Sequence, residues 1–167
     1  MKLLRVNQVK KEIRVLGVSA RRQEEGYHVI GVVFRGSLWL DGVMIEKTKG
    51  AKLTNAIFTL VTKSRHEGQI RVILLNRDSM PPETKIDLIK LYEETGKPVI
   101  LIGDTDREVG TSLIWGKGPQ VRVVTAIGVS RWVAKRILET TTRTGSTPEA
   151  LRVASVTISA LLEGIHT

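Results

Sequence analysis

Cysteine is absent from the 167 residues, which excludes disulfides and any thiolate metal site and fits an intracellular, cytoplasmic protein. No apolar run approaches the roughly 20 residues needed to cross a bilayer, so no membrane partner is expected. The opening MKLLRVNQVKK is charged and lacks an apolar h-region, so it does not read as a signal peptide. His28, His66 and His166 stand far apart, and no paired spacing suggests zinc. No Gly-rich phosphate loop follows a predicted strand, which weakens a Rossmann-type reading. Repeats and low-complexity linkers are missing as well. The chain therefore reads as a single domain over residues 1–167, long enough to bury a core.

What the sequence has in excess is positive charge. Lys and Arg number 26 against 17 Asp and Glu, a formal net charge of +9. A field of that sign draws in polyanions, and nucleic acid is the default partner, DNA favoured. The first 22 residues carry Lys2, Arg5, Lys10, Lys11, Arg14, Arg21 and Arg22 against the single acid Glu12.

The hydrophobic pattern is regularly punctuated. Residues 13–20 (IRVLGVSA) predict a buried strand that runs straight into Arg21 and Arg22. YHVIGVVFRGSLWLDGVMIEKT predicts two strands joined at Arg35-Gly36-Ser37. Leu53, Ala56, Ile57, Leu60 and Val61 recur with the spacing of one helix face. IRVILLN (70–76) and PVILIG (98–103) are continuous apolar runs of the parallel-sheet kind. Between them a helix is predicted from Pro81-Pro82-Glu83 to Gly96. GTSLIWGKGPQ, with Trp115, reads as a Gly-rich loop, followed by a strand over 121–126. Two helices close the chain, the first capped by Ser130, the second started by Thr147-Pro148-Glu149. Leu151, Ala154, Ile158 and Leu161 form an apolar stripe that packs on the sheet or makes a dimer face. Trp39 and Tyr27, on the hairpin, are candidates for core packing or for stacking on bases.

Three antiparallel strands followed by crossovers to parallel ones give the order of an α/β, ribonuclease-H-like three-layer fold. Its mixed sheet has antiparallel hairpin strands, then parallel strands, with C-terminal helices. Right-handed crossovers put strand 70–76 beside strand 13–20. Their C-terminal ends then flank the crevice where open α/β sheets bind ligands.

KEIRVLGV (11–18), SLWLDGV (37–43), LYEETGKPVILI (91–102) and GSTPEALRVAS (145–155), in that order, resemble the archaeal endonuclease-dU-like family, which is distantly similar to endonuclease V. The resemblance implies a ribonuclease-H-like fold and a metal-dependent endonuclease that nicks DNA at deaminated bases such as uracil or hypoxanthine. It also implies acidic residues where this chain has others. Ser19 and Ala20 stand at the family's Asp pair, Asn76-Arg77 at its Asp-Gly, and Lys49-Gly50-Ala51-Lys52 at a further acidic stretch.

Ser and Asn offer an oxygen but no negative charge, whereas Mg²⁺ anchors on carboxylates. Arg21, Arg22, Arg77, Lys49 and Lys52 would repel a divalent cation and attract phosphate. The expectation is therefore a nucleic-acid-binding relative with no resident metal and impaired or lost catalysis. An alternative is an active enzyme, using Mg or Mn, in which Asp78, Asp41 or Asp104 has entered a rearranged site. For Asp78 a turn role competes with that, and Asp104-Thr105-Asp106 also reads as the cap of a following helix. A second alternative is an interaction subunit, as a homodimer or with a paralogue.

Overall fold

The computed structural model describes residues 9–105 and 108–165, with only the backbone of 164 and 165. Lys2, Arg5, Asp106 and His166 lie outside the described residues. Three long strands open the fold: β1 (Arg14–Gln23), β2 (Gly26–Arg35) and β3 (Trp39–Thr48). Then come α1 (Thr54–Lys63), β4 (Val72–Asn76), α2 (Leu88–Thr95) and β5 (Val99–Ile102). An antiparallel pair, β6 (Thr111–Trp115) and β7 (Arg122–Ile127), precedes α3 (Arg131–Thr141) and α4 (Glu149–Ile165).

All seven strands form one sheet in the order β3-β2-β1-β4-β5-β7-β6. The hairpin strands pair antiparallel, and β1, β4 and β5 are mutually parallel. β7 and β6 add an antiparallel margin. Alternation along each strand sends successive side chains to opposite faces. Val15, Val72, Leu74 and Ile100 meet α3 and α4 on one face, and Leu16, Val18, Ile73 and Val99 meet α1 and α2 on the other. The result is a three-layer, ribonuclease-H-like α/β fold.

Four sequence expectations change. β1 does not stop at residue 20: Ala20, Arg21, Arg22 and Gln23 stay paired with β2 after the pairing with β4 has ended at Val18–Leu75. The helix expected from Pro81 begins only at Leu88, where Asp87 accepts the amide of Lys90 at 3.0 Å. Residues 81–87 instead reach back, and Lys85 bridges to Lys52. TSLIW is a sheet strand, not a loop, and its Trp115 indole donates to the Ser146 carbonyl at 2.6 Å. No helix follows Asp104 before β6 among the described residues, so it caps none.

Gly17 controls how α4 lies on the sheet. A Cβ there would stand 2.6 Å from the Ala150 carbonyl carbon, so only glycine admits this approach. Four residues along β1, Arg21 reaches Ser159, nine residues along α4. Strand and helix therefore run in the same direction, because four strand residues and nine helical ones each advance about 13 Å. α4 thereby escorts β1 to its C-terminal tip.

Candidate nucleic-acid interface

The C-terminal ends of β1, β4 and β5 open at one edge of the sheet. The starts of β2 and β7 lie at the same edge because those strands run the other way, and so does the end of β3, which runs with β1. Ser19, Arg21, Arg22, Lys49, Lys52, Asn76, Arg77, Asp78, Asp104 and Arg122 therefore share one end of the molecule.

Ser19 and Ala20 are both fully buried, on opposite faces. The Ser19 hydroxyl donates to the Ser79 carbonyl at 3.0 Å and Ala20 packs into the α1/α2 core. Asn76 ends β4 and caps a 3-10 turn over Arg77–Ser79, its Oδ1 accepting the Asp78 amide at 3.0 Å. Arg77 donates to the Pro81 carbonyl at 2.7 Å and to the Thr84 hydroxyl at 2.9 Å. Its stem crosses Gly103 at the end of β5, where a Cβ would stand 2.6 Å from the Arg77 Cβ. Part of this arginine's donor capacity thus holds the turn that follows β4.

Asp78 forms an ion pair with Arg122, one of whose two bonds spans 3.2 Å. Those bonds, opposed by burial and aided by the charges of Asp78 and Asp104, raise the Arg122 pKa further. Arg21 donates to the Ala20 carbonyl and to Ser159 at 3.3 Å, lying between β1 and α4. Arg22 is 75% exposed and stands 3.6 Å from Glu83. Glu83 also accepts the Tyr27 hydroxyl at 3.0 Å, and the Tyr27 ring is buried in the core. The Glu83 carboxyl is held below its ordinary pKa by its own backbone amide, then by Tyr27 and the charges of Arg22 and Arg77, against the cost of burial. Lys49 and Lys52 are exposed beside the β1–β2 hairpin and the Lys85 bridge.

Asp41 lies at the opposite end of the sheet. It accepts from Arg14 at 2.9 Å and from Arg35 at 2.8 Å and is 7% exposed. Burial works against its charge, yet the two arginines outweigh that and hold its pKa below the ordinary value. Asp41 and Asp78 therefore stand at opposite ends.

A divalent ion needs hard oxygen donors left free for it. At the strand tips Ser19 is committed as a donor, Ala20 has no side-chain donor atom and Asp78 is occupied by Arg122. Among the described residues no three His, Cys, Asp or Glu side chains gather where they could hold a metal. The residues present do not fit the metal that the family resemblance implies.

Sequence reasoning did not single out Arg122, Lys85 or Ser159, and it placed Glu83 only at a helix start. Arg122 opens a strand after a Gly-rich stretch, but only the antiparallel pairing of β7 with β5 brings it to the tips.

Sheet order and layering define the class: an α/β protein of the ribonuclease-H-like fold, here with cation-rich strand tips. The family model described as Endonuclease dU matches residues 11–114. A UPF0215 protein of Methanopyrus kandleri is 31% identical, over 96% of this chain and 97% of its own. The chain belongs to the endonuclease dU family. Two solved structures carry the same fold. A protein of unknown function from Archaeoglobus fulgidus superposes with a TM-score of 0.70 at 18% identity, covering 89% of this chain and 97% of its own. Endonuclease V of Ciona intestinalis, in complex with a 24mer DNA containing an inosine, superposes with a TM-score of 0.65 at 13% identity, covering 91% and 86%.

Proposed function

We propose that this protein is a nucleic-acid-binding member of the endonuclease dU family, with DNA as its preferred partner. Its strand-tip crevice receives phosphate and not a divalent ion, and it does not nick deaminated bases by the family's metal-dependent route. The observation that carries this reading is the Asp78–Arg122 pair, which commits the tip acid beside Asn76 to a cation. Arg22, Lys49 and Lys52 leave positive charge exposed around it. Ser19, Ala20 and Asn76 stand where the family resemblance implies carboxylates. Membership of a family named for nuclease activity, and the likeness to an endonuclease V seen with DNA, support the nucleic-acid partner.

The test is binding and cleavage of one set of oligonucleotides: undamaged, uracil-containing and hypoxanthine-containing. Phosphate contacts make log affinity fall linearly with log salt, at about −0.9 per contact on duplex. Four contacts would weaken binding on the order of 100-fold between 50 and 200 mM salt. No nick is expected with Mg²⁺ or Mn²⁺. Asp78→Asn removes an acid from the crevice and is expected to tighten binding several-fold. A Mn²⁺-dependent nick that Asp78→Asn abolishes would overturn the reading in favour of a rearranged active site.

A further inference from the structure

At the end of the sheet opposite the strand tips, a groove of about 950 Å³ is lined by Lys10, Lys11, Glu12, Arg14, Arg35 and Arg71, together with uncharged residues. Five of those six are cations. Arg14 and Arg35 are direct cross-strand partners, and the Arg71 amide donates to the Arg14 carbonyl at 2.8 Å. The three arginines therefore stand in a row across β2, β1 and the entry to β4. At about 4.8 Å per strand, the row spans about 10 Å. Asp41 neutralises one charge of the Arg14–Arg35 pair. Lys10, Lys11 and Arg71 are exposed and have no ion-pair partner among the described residues.

The groove walls are tied in place. The Ile13 amide donates to the Lys10 carbonyl at 3.0 Å, closing the turn that presents both lysines, and the Gly36 amide donates to Ile13 at 2.7 Å. Gly36, at φ 54°, lies so near the Lys11 carbonyl that a Cβ would stand 2.0 Å from it. The Lys97 ammonium donates to the Glu67 and Ile70 carbonyls at 2.6 and 2.8 Å, fixing the loop before Arg71. Arg143 secures the β2–β3 turn through the Ser37 and Leu38 carbonyls. At the rim Trp39 is 43% exposed, with the Arg35 guanidinium 5.1 Å from its ring centre.

Like charges this close repel, and the two carboxylates of Glu12 and Asp41 do not balance five cations. A fixed, open row of cations beside an exposed aromatic ring matches the demands of a phosphodiester backbone: charge along a track and a flat surface for a base. We infer that this groove is a second nucleic-acid-binding surface, separate from the strand-tip crevice and gripping the phosphate backbone of another stretch of polynucleotide. The inference rests on the nucleic-acid reading of the protein but fails separately from it.

The experiment compares wild type, a groove variant (Lys10→Glu/Lys11→Glu/Arg71→Glu) and a tip variant (Arg22→Glu/Lys49→Glu). Each is titrated with a fluorescein-labelled 20-nucleotide strand and the matching duplex at several salt concentrations. Arg14 and Arg35 are left intact because they hold Asp41. The groove variant is expected to bind duplex at least tenfold more weakly, its salt slope shallower by about 2 to 3. An unchanged affinity and slope, with binding lost only in the tip variant, overturns the second surface and leaves the first. A wild type without salt-dependent binding overturns both.

Acetylation footprinting of the unmodified protein does not depend on whether variants fold. Lys10 and Lys11 are expected to be protected by the 20-mer and to stay reactive with AMP at equal phosphate concentration. Equal protection by AMP would make the groove a nucleotide pocket, and no protection by either would make it a solvated surface. Both results overturn the inference.

Discussion

The Ser19 hydroxyl is fully buried and donates a hydrogen bond to the Ser79 carbonyl, so this position is built for a donor. Alanine there leaves that carbonyl short of a partner and is expected to cost about 1–3 kcal/mol. Aspartate would face a carbonyl with a second acceptor and bury a charge, which is expected to cost about 3–5 kcal/mol. Urea unfolding of both variants measures this, and an aspartate variant as stable as wild type would contradict the account. His28 is the other residue whose surroundings set its behaviour. Its Nδ1 is buried without a hydrogen-bond partner among the described residues, and burial, then the Lys47 charge, pushes its pKa below the ordinary 6.5. The unfolded chain therefore binds more protons here than the folded one. Stability contributed by neutral His28 is present above about pH 6.5 and declines as pH falls toward the lower folded value. Thermal melts from pH 7.5 to 5 are expected to show that decline, and His28→Phe to flatten it.

At the scale of elements, the contact of β1 with α4 is set by one missing side chain. Gly17→Ala drives a methyl group into the Ala150 backbone and is expected to cost about 1–3 kcal/mol, or to lift α4 away from Arg21. Denaturant midpoints give the cost, and faster amide exchange in α4 would identify the lifted helix. Several elements are legible in the sequence because burial dictates their pattern. The runs IRVLGV, IRVILLN and PVILIG are apolar since both sheet faces are covered, and α1 buries Ala56, Ile57, Leu60 and Val61 as its spacing requires. β6 was illegible because it is an edge strand: only Leu113 of TSLIW is buried, while Ile114 is 70% exposed. Pro81-Pro82-Glu83 carries the local signature of a helix start. Tertiary partners override it, as Arg77 takes the Pro81 carbonyl and Lys85 pairs with Lys52.

Across the whole molecule, positive charge gathers at both ends of the sheet. The sequence carries the amount of charge but not its division. Arg14 and Arg21 are seven residues apart on one apolar strand, and only the straightness of β1 sends them to opposite ends. The same limit applied to the acids. Asp41 and Asp78 both read as carboxylates near strands, but Asp41 is held by Arg35 across its own hairpin, whereas Asp78 is held by Arg122, which only the distant β5–β7 pairing brings in.

The unbroken run of β1 past the end of β4 has a metric consequence. From Arg14 to Arg22 the strand advances eight residues at about 3.3 Å each, about 26 Å of stiff, doubly anchored backbone. Duplex rises 3.4 Å per base pair, so about eight base pairs match that length. If both ends grip nucleic acid as proposed, the strand acts as a gauge. Oligonucleotides shorter than this reach one end only, and affinity plotted against length is expected to steepen once they exceed it.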